Sequence, residues 1–514
     1  MKKNDIIENV TIDKVGYEGI GLAKFHDGKK LIIKGWALPG MLCDLRVVKN
    51  YKDYAQCHIL HIHKFPSDYK LSNIKCPHYI YNKTQITECK SGCGGCKWQI
   101  AGYDQQLDLK HQIVADSFRH YPHEIPIRPV LPSPEIWGYR NKIEYSFGKF
   151  IKGRGEEKEI LSDRSLWFHR QWMFGKIVDI DQCFLVDMKV NKIFNHINDI
   201  LKNSGVPVYD QMMHTGALRH LMVRQAKNTN QMMVILSVHS NCHNYDGRVG
   251  IIDSFKEDKF MKENVSTFIL ITNDGLADTV ATRESTFEII WWEGKINETL
   301  RISDYDLQFD ISPLSFFQTN TKWAELLYTT AIELSREALK NDTTNTILDL
   351  YCGTGTIGLS FLKSGIGKEL IGIEEVASAI ADAKKNAHAN RITTGTHFFA
   401  GRAEKVLQIN KSEKNIQSSE FVVQDGVETF SGVISDLQLV IVDPPRSGLH
   451  EDVVNFLLEL KTYNPSLKIC YISCNPVTLA RDMNLLNTSY KADYIQPVDM
   501  FPHTHHIENI VVLY

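Results

Sequence analysis

At 514 residues the chain is too long to pack around one hydrophobic core, and length alone predicts about three domains. Its 58 Lys and Arg against 61 Asp and Glu give a formal net charge of −3, which neither demands nor excludes nucleic acid, because a local basic face fits inside a neutral total. No stretch approaches the roughly 18 consecutive apolar residues of a membrane helix, and the opening "MKKNDIIENVTIDKV" lacks an apolar core, so neither a bilayer span nor a secretory signal is expected and the protein reads as cytoplasmic.

Residues 1–64 alternate short β-rich runs with glycine and proline turns, as in "VTIDKVGYEGIGLAKF" and "KKLIIKGWALPGMLCDLRVV", which predicts a small all-β barrel. The segment holds 11 Lys or Arg against 7 Asp or Glu; by composition alone, scattered charge of this kind is a solvated surface. Next, "CPHYIYNKTQITECKSGCGGCKWQI" carries Cys76, Cys89, Cys93 and Cys96. The whole chain has 11 cysteines, an odd number that argues against a disulfide framework and for metal binding or catalysis. The Cys93-Gly-Gly-Cys96 spacing lets neighbouring thiolates share one metal centre, and spacing alone does not choose between structural zinc and an iron–sulfur cluster.

"YDQQLDLKHQIVADSFRHY" predicts a helix, and a central region running to about residue 310 is rich in strands, among them "HLMVRQAKNTNQMMVILSV" and "STFEIIWWEG". Within it Cys183 stands alone; taken by itself it reads as core packing, and Cys57, Cys242 and Cys470 read as core or surface residues. From residue 311 strands and helices alternate, which predicts an α/β domain with a doubly wound parallel sheet. The expected domains are therefore 1–64, 65–310 and 311–514. Residues 408–434, "QINKSEKNIQSSEFVVQDGVETFSGVI", read as an extended loop.

Two stretches of the last domain carry chemistry. In "LKICYISCNPVTLARDM" the apolar run Ile469 to Ile472 ends in Ser473-Cys474-Asn475-Pro476, because Pro476 biases Asn475 away from helical dihedrals. Cys474 then lies at the C-terminal end of a strand, where open α/β sheets bind ligands. In "NTILDLYCGTGTIGLSFL" the run Gly353 to Gly358 matches GxGxxG, with Glu374 beyond it to take ribose hydroxyls, so a dinucleotide-binding dehydrogenase is the first rival reading. S-adenosylmethionine also presents a ribose but no pyrophosphate. "LDLYCGTGTIGL" with Asp349, and the rigid Asp443-Pro444-Pro445-Arg446, favour a methyltransferase.

Taken in order, "FFQTN", "LDLYCGTGTIGL", "GIEEV", "VDPPRSGL", "YISCNPVTLARD" and "VDMFPHTHHIENIVVL" resemble the uracil-5 RNA methyltransferase family. The first 64 residues are similar to a TRAM domain, an OB-like RNA-binding barrel. The resemblance implies a class I methyltransferase sheet and an RNA substrate, with a place among enzymes that make 5-methyluridine in 23S ribosomal RNA; transfer RNA is the alternative. It implies that Gln318, Tyr351, Glu374 and Asp443 contact S-adenosylmethionine, that Cys474 is the nucleophile and that Glu508 is the base. It also implies a [4Fe-4S] cluster on Cys76, Cys93, Cys96 and Cys183, although Cys76 lies farther from the pair than the family pattern has it, and Cys89 competes for the first place. A monomer is expected.

The chemistry fits these residue types. Carbon 5 of uracil is a poor nucleophile; a thiolate added at carbon 6 makes it an enolate carbon. A cysteine of lowered pKa supplies that thiolate, and after methylation a base must remove the carbon 5 proton, for which His505 and His506 are rivals to Glu508. Arg140 in "GYRNK" and Phe316 in "SFFQ" are similar to substrate-side residues, one as a donor to base or phosphate, the other as a stacking face for an extruded base. A third reading is a non-catalytic RNA-binding protein that retains the fold.

Overall fold

The computed structural model describes the chain apart from residues 36, 68, 71–72, 80–91, 153–158, 171–172, 179, 245–246, 341–344 and 412–418. It divides into two compact units that interleave in sequence. The first takes Met1–Gln106, Glu135–Ile296 and Pro502–His505; the second takes Leu107–Pro134, Asn297–Phe501 and His506–Tyr514.

The first unit contains two sheets. In one, six strands between Ile6 and Lys64 pair in the order Ile6–Thr11, Leu42–Asn50, Tyr54–Lys64, Lys30–Lys34, Gly21–Lys24, Lys14–Val15. The two-residue period of a strand explains the burial: Cys43, Leu45 and Val47 on one strand and Ala55, Cys57 and Ile59 on the next are all inside, while the residues between them face out or lie at the edge. In the other sheet seven strands are ordered Thr286–Trp291, Thr267–Thr272, Gln231–Val238, Leu218–Ala226, Lys142–Lys152, Glu159–Arg170, Met173–Val178. Leu218–Ala226 is buried along its whole length, as a central strand covered on both faces must be. The helix Met188–Lys202 packs there through Val190, Ile193, Phe194, Ile197 and Leu201, and Asp187 caps it by accepting the Lys189 N–H at 2.8 Å. The helix read from "YDQQLDLKHQIVADSFRHY" is present over Tyr103–Ser117.

The second unit is built on seven strands: β1 (Thr346–Leu350), β2 (Glu369–Glu374), β3 (Thr396–Ala400), β4 (Leu437–Val442), β5 (Lys468–Ser473), β6 (Gln496–Val498) and β7 (Glu508–Leu513). Their order in the sheet is β3-β2-β1-β4-β5-β7-β6. The helices are α1 (Thr321–Ala338), α2 (Thr356–Lys363), α3 (Ala377–Ala389), α4 (Glu451–Tyr463) and α5 (Pro476–Leu486). β1 to β5 are parallel, with helices α1 to α3 against one face and α4 and α5 against the other, as the alternation of strands and helices predicts. β7 departs from that expectation. It runs antiparallel to β5 and β6 because residues 499–507 are too few for a parallel crossover, which needs about a dozen residues or more. The reversal brings the start of β7 to the end of β5.

One expectation is corrected. Residues 408–434 are not an extended loop: among the described residues, Leu407–Asn410, Glu420–Gln424 and Thr429–Val433 form an antiparallel three-stranded sheet. Its strands are short and flanked by polar residues, which hides the signal, yet Phe421 and Val423 are fully buried in the core under α4.

Candidate active site

The parallel strands β1, β4 and β5 end side by side, and the residues that follow each end carry the site. Register pairs Leu350 with Val442 and Val442 with Tyr471, so the loops after these strands open from one edge.

After β1, Tyr351 takes a left-handed turn with φ 65°, and the loop Cys352–Gly355 leads into α2. Asp349 is fully inside the sheet, and its Oδ2 accepts the Gly358 N–H at 2.9 Å. A Cβ on residue 358 would stand 2.6 Å from that oxygen, so only glycine lets helix and carboxylate approach this closely. The other oxygen, Oδ1, is buried without a hydrogen-bond partner among the described residues. Burial chiefly, then Asp443 and Glu374, holds this carboxyl well above the usual carboxylate range. Glu374 ends β2, and its two oxygens accept the N–H groups of Gly353 at 3.3 Å and Val376 at 2.9 Å. Gln318 is half-buried just before Asn320, which caps α1 by accepting the Trp323 N–H at 3.2 Å. Phe316 is 64% exposed.

After β4 comes Asp443, whose carboxyl burial pushes up to about 7. After β5 comes Cys474, half-buried between Ser473 and the capping Asn475. The antiparallel β7 starts at Glu508, and Asn509 of that strand pairs with Ser473 and donates to its carbonyl at 3.2 Å. Nucleophile and base candidates thus sit at the adjoining ends of neighbouring strands. Burial, followed by Glu508 and Asp443, pushes the Cys474 thiol up to about 12, and Arg446 opposes them. Glu508 is held well above the carboxylate range by burial and then by Asp443, again against Arg446. One line of mutually sensed groups therefore runs from Glu374 through Asp349 and Asp443 to Glu508 and Cys474. Arg446 is the cation that favours thiolate and carboxylate here.

The remaining expected residues fall elsewhere or differently. The Tyr351 hydroxyl meets the His450 backbone near Asp482. His506 lies 3.2 Å from the Arg446 guanidinium, whereas His505 belongs to the first unit, close to Gly19. Arg140 also belongs to the first unit; its N–H donates to the Leu185 carbonyl at 2.8 Å, and its charge pulls the Cys183 thiol down against the dominant effect of burial. Sequence reasoning assigned no role to Arg446, Asn475 or Asp482, although all three stand in motifs it singled out.

For the cysteines, Cys57, Cys242 and Cys470 are buried. Among the described residues no three or more His, Cys, Asp or Glu stand so as to hold a metal ion, so the expected thiolate set is not preformed; Cys89 lies outside them. Neutral thiols have no charge reason to converge until a cation binds. The three segments that carry them are nevertheless neighbours: Cys76 and Cys93 each sense Cys183, and Cys96 senses all three. His78 Nε2, two residues past Cys76, meets Asp181 Oδ1, two residues before Cys183, at 2.9 Å.

Comparisons with known proteins show the family. The model of the tRNA (uracil-5-)-methyltransferase family matches residues 255–514. A protein of Bacteroides thetaiotaomicron described as an uncharacterised RNA methyltransferase is 31% identical over 506 residues, 96% of this chain and 99% of its own. A protein of Clostridium acetobutylicum with the same description is 32% identical over 100% of this chain and 98% of its own. The solved structure of the Pyrococcus abyssi tRNA (uracil-54, C5)-methyltransferase in complex with S-adenosyl-L-homocysteine superposes with a TM-score of 0.67 at 25% identity, covering 98% of this chain and 99% of that one. The chain belongs to the tRNA (uracil-5-)-methyltransferase family and is an RNA uracil-5 methyltransferase.

Proposed function

We propose that this protein moves a methyl group from S-adenosylmethionine to carbon 5 of a uridine in RNA by way of a covalent bond between Cys474 and carbon 6. The observation that carries the reading is the meeting of Cys474 and Glu508 at adjoining ends of β5 and β7, with Asp443 and Arg446 beside them. The residues fit the cofactor: Asp349 Oδ1, without a partner among the described residues, suits an ammonium or a ribose hydroxyl, Glu374, Asp443 and Tyr351 stand at the ends of β2, β4 and β1, and Gln318, just before the cap of α1, would join them. When bound, S-adenosylmethionine supplies an electrophilic methyl on a cationic sulfonium.

The chain's own residues do the rest. The Cys474 thiol is raised, not lowered as the sequence reading expected, because burial, Glu508 and Asp443 outweigh Arg446. It loses its proton to solvent with Arg446 favouring the thiolate, which attacks carbon 6, and the displaced electron pair makes carbon 5 nucleophilic. Glu508, strongly basic once ionised because burial disfavours its charge, takes the carbon 5 proton so that the thiolate is expelled. Phe316, largely exposed, is suited to stack on an extruded base.

Ribosomal RNA is the substrate that the sequence resemblance favours. Transfer RNA is the second reading, supported by the likeness to the Pyrococcus abyssi enzyme. The first 64 residues would serve as a TRAM-like RNA-binding domain, and Cys76, Cys93, Cys96 and Cys183 would hold an iron–sulfur cluster, supported by their mutual proximity. Labelled S-adenosylmethionine incubated with each RNA from a strain lacking the gene tests the reading. It predicts 5-methyluridine at one site; no label in either RNA contradicts it.

A further inference from the structure

Helix α5 begins one residue after Cys474 at its Asn475 cap, and its side chains grip the loop that follows β4. Asn475 does two things at once. Its Oδ1 accepts the Val477 N–H at 3.0 Å, capping the helix, and its Nδ2 donates to the Arg446 carbonyl at 2.9 Å. The Thr478 hydroxyl shares its one proton between the Asn475 carbonyl at 3.1 Å and that same Arg446 carbonyl at 3.3 Å. One turn on, Asp482 is fully buried and its two oxygens are satisfied by donors from three elements: the Leu449 N–H at 2.8 Å, the Tyr471 hydroxyl of β5 at 2.7 Å, and Arg481 Nε at 2.7 Å. Arg481 also donates to the Leu449 carbonyl at 3.2 Å, so the pair brackets both backbone groups of Leu449. Between these grips Gly448, with φ 79°, passes so close that a Cβ would stand 2.5 Å from both Arg481 Nη2 and Asp482 Oδ2.

Building on the proposed function, we infer that Asp482 is a positioning residue that fixes the Asp443–Leu449 loop against the nucleophile's own strand and helix, and so sets the approach of the Arg446 guanidinium to Cys474. Tyr471 lies three residues before Cys474 on β5, and Leu449 lies three residues after Arg446, so one buried carboxylate ties the nucleophile's strand to the loop after β4. The groups that face the thiol are Asp443 and Arg446 from this loop and Glu508 from β7, with His506 against Arg446. Asp443 directly follows β4 and stays with that strand, so Arg446, three residues from the clamped Leu449, is the group that moves when the clamp loosens. A charged, buried carboxylate with fixed donors is stiffer than the neutral contacts that would replace it.

The test uses full-length protein with Asp482→Asn, which keeps the shape but removes the charge and reverses one donor relation. It reads methyl transfer to RNA together with the pH dependence of iodoacetamide alkylation at Cys474. The expected result is a fall in kcat of about 10²-fold, the usual cost of displacing a catalytic group by an ångström, with KM for S-adenosylmethionine within about twofold. Alkylation of Cys474 should shift to higher pH, because Arg446 no longer reaches it; a purely structural role would leave that profile unmoved. Wild-type kcat and alkylation in a folded Asp482→Asn would overturn the inference. Should that variant fail to fold, Thr478→Val decides by the same two readouts, with a smaller change in the same direction expected and wild-type values overturning it. Failure of wild-type enzyme to methylate RNA would instead defeat the proposed function and leave the alkylation shift as the measure of the clamp.

Discussion

Lys110 and Asp499 form an ion pair in the second unit with both side chains fully buried, Nζ to Oδ1 at 2.5 Å. Nζ also donates to the Phe501 carbonyl at 3.0 Å, and the same carboxylate oxygen accepts the Phe501 N–H at 3.0 Å. The turn so fixed presents the Met500 carbonyl, which takes Asn320 Nδ2 at 2.9 Å and steadies the cap of α1, just after Gln318. At an effective dielectric of about 20 the gross attraction is about 7 kcal/mol, and desolvation of two ions offsets most of it. Burial in fact outweighs Asp499 at the lysine, whose pKa is lowered. The pair is therefore nearly neutral as a whole, but breaking it is costly: Lys110→Met leaves a buried carboxylate without its cation and should cost about 3–5 kcal/mol, and Asp499→Asn a similar amount. The double variant Lys110→Met with Asp499→Leu should lie within about 2 kcal/mol of wild type, because neither charge remains. Urea unfolding followed by tryptophan fluorescence measures all three. Single-variant losses under about 1 kcal/mol, or losses that simply add in the double variant, would refute the reasoning.

Asp443, raised to about 7 by burial, keeps its proton when folded over a range where the unfolded chain has lost it. Its share of the stability should therefore fall from about pH 4 to about pH 7 by up to about 4 kcal/mol, and Asp443→Asn should remove that share from the slope in a pH series of unfolding curves. Glu508→Gln should still allow attack and methylation but stall release, so a methylated covalent complex should accumulate on denaturing gels; normal turnover with stalling in His506→Ala would reverse the roles. Anaerobically purified protein should be brown with about four irons, and Cys76→Ser rather than Cys89→Ser should lose them; stoichiometric zinc without visible absorption would contradict the cluster.

Much of the catalytic unit was legible because each strand ends in its own punctuation. Leu350 gives way to a glycine loop, Val442 to Asp-Pro-Pro, and Ser473 to Cys-Asn-Pro, so the strand ends and their polar residues could be placed from local sequence. Pro476, read as a stop for the strand, is also the first residue of α5, where its missing N–H costs nothing. The antiparallel course of β7 was not legible, since its direction follows from the length of a connection whose partner strands sequence does not name. Arg446 and Asp482 escaped for a similar reason. Their importance lies in contacts between segments about thirty residues apart, which no single motif displays. The sheet within residues 407–433 was hidden by short strands that only their partners bury.

The central claim is a covalent bond between Cys474 and a uracil ring. The most direct measurement is denaturing electrophoresis and mass spectrometry of the protein incubated with S-adenosylmethionine and substrate RNA containing 5-fluorouridine. Fluorine cannot leave as a proton does, so elimination is blocked. Wild-type protein should carry methylated RNA on the peptide containing Cys474, and Cys474→Ala should carry none. Methylation of ordinary RNA by Cys474→Ala at the wild-type rate, or an adduct mapped to another residue, would contradict the account.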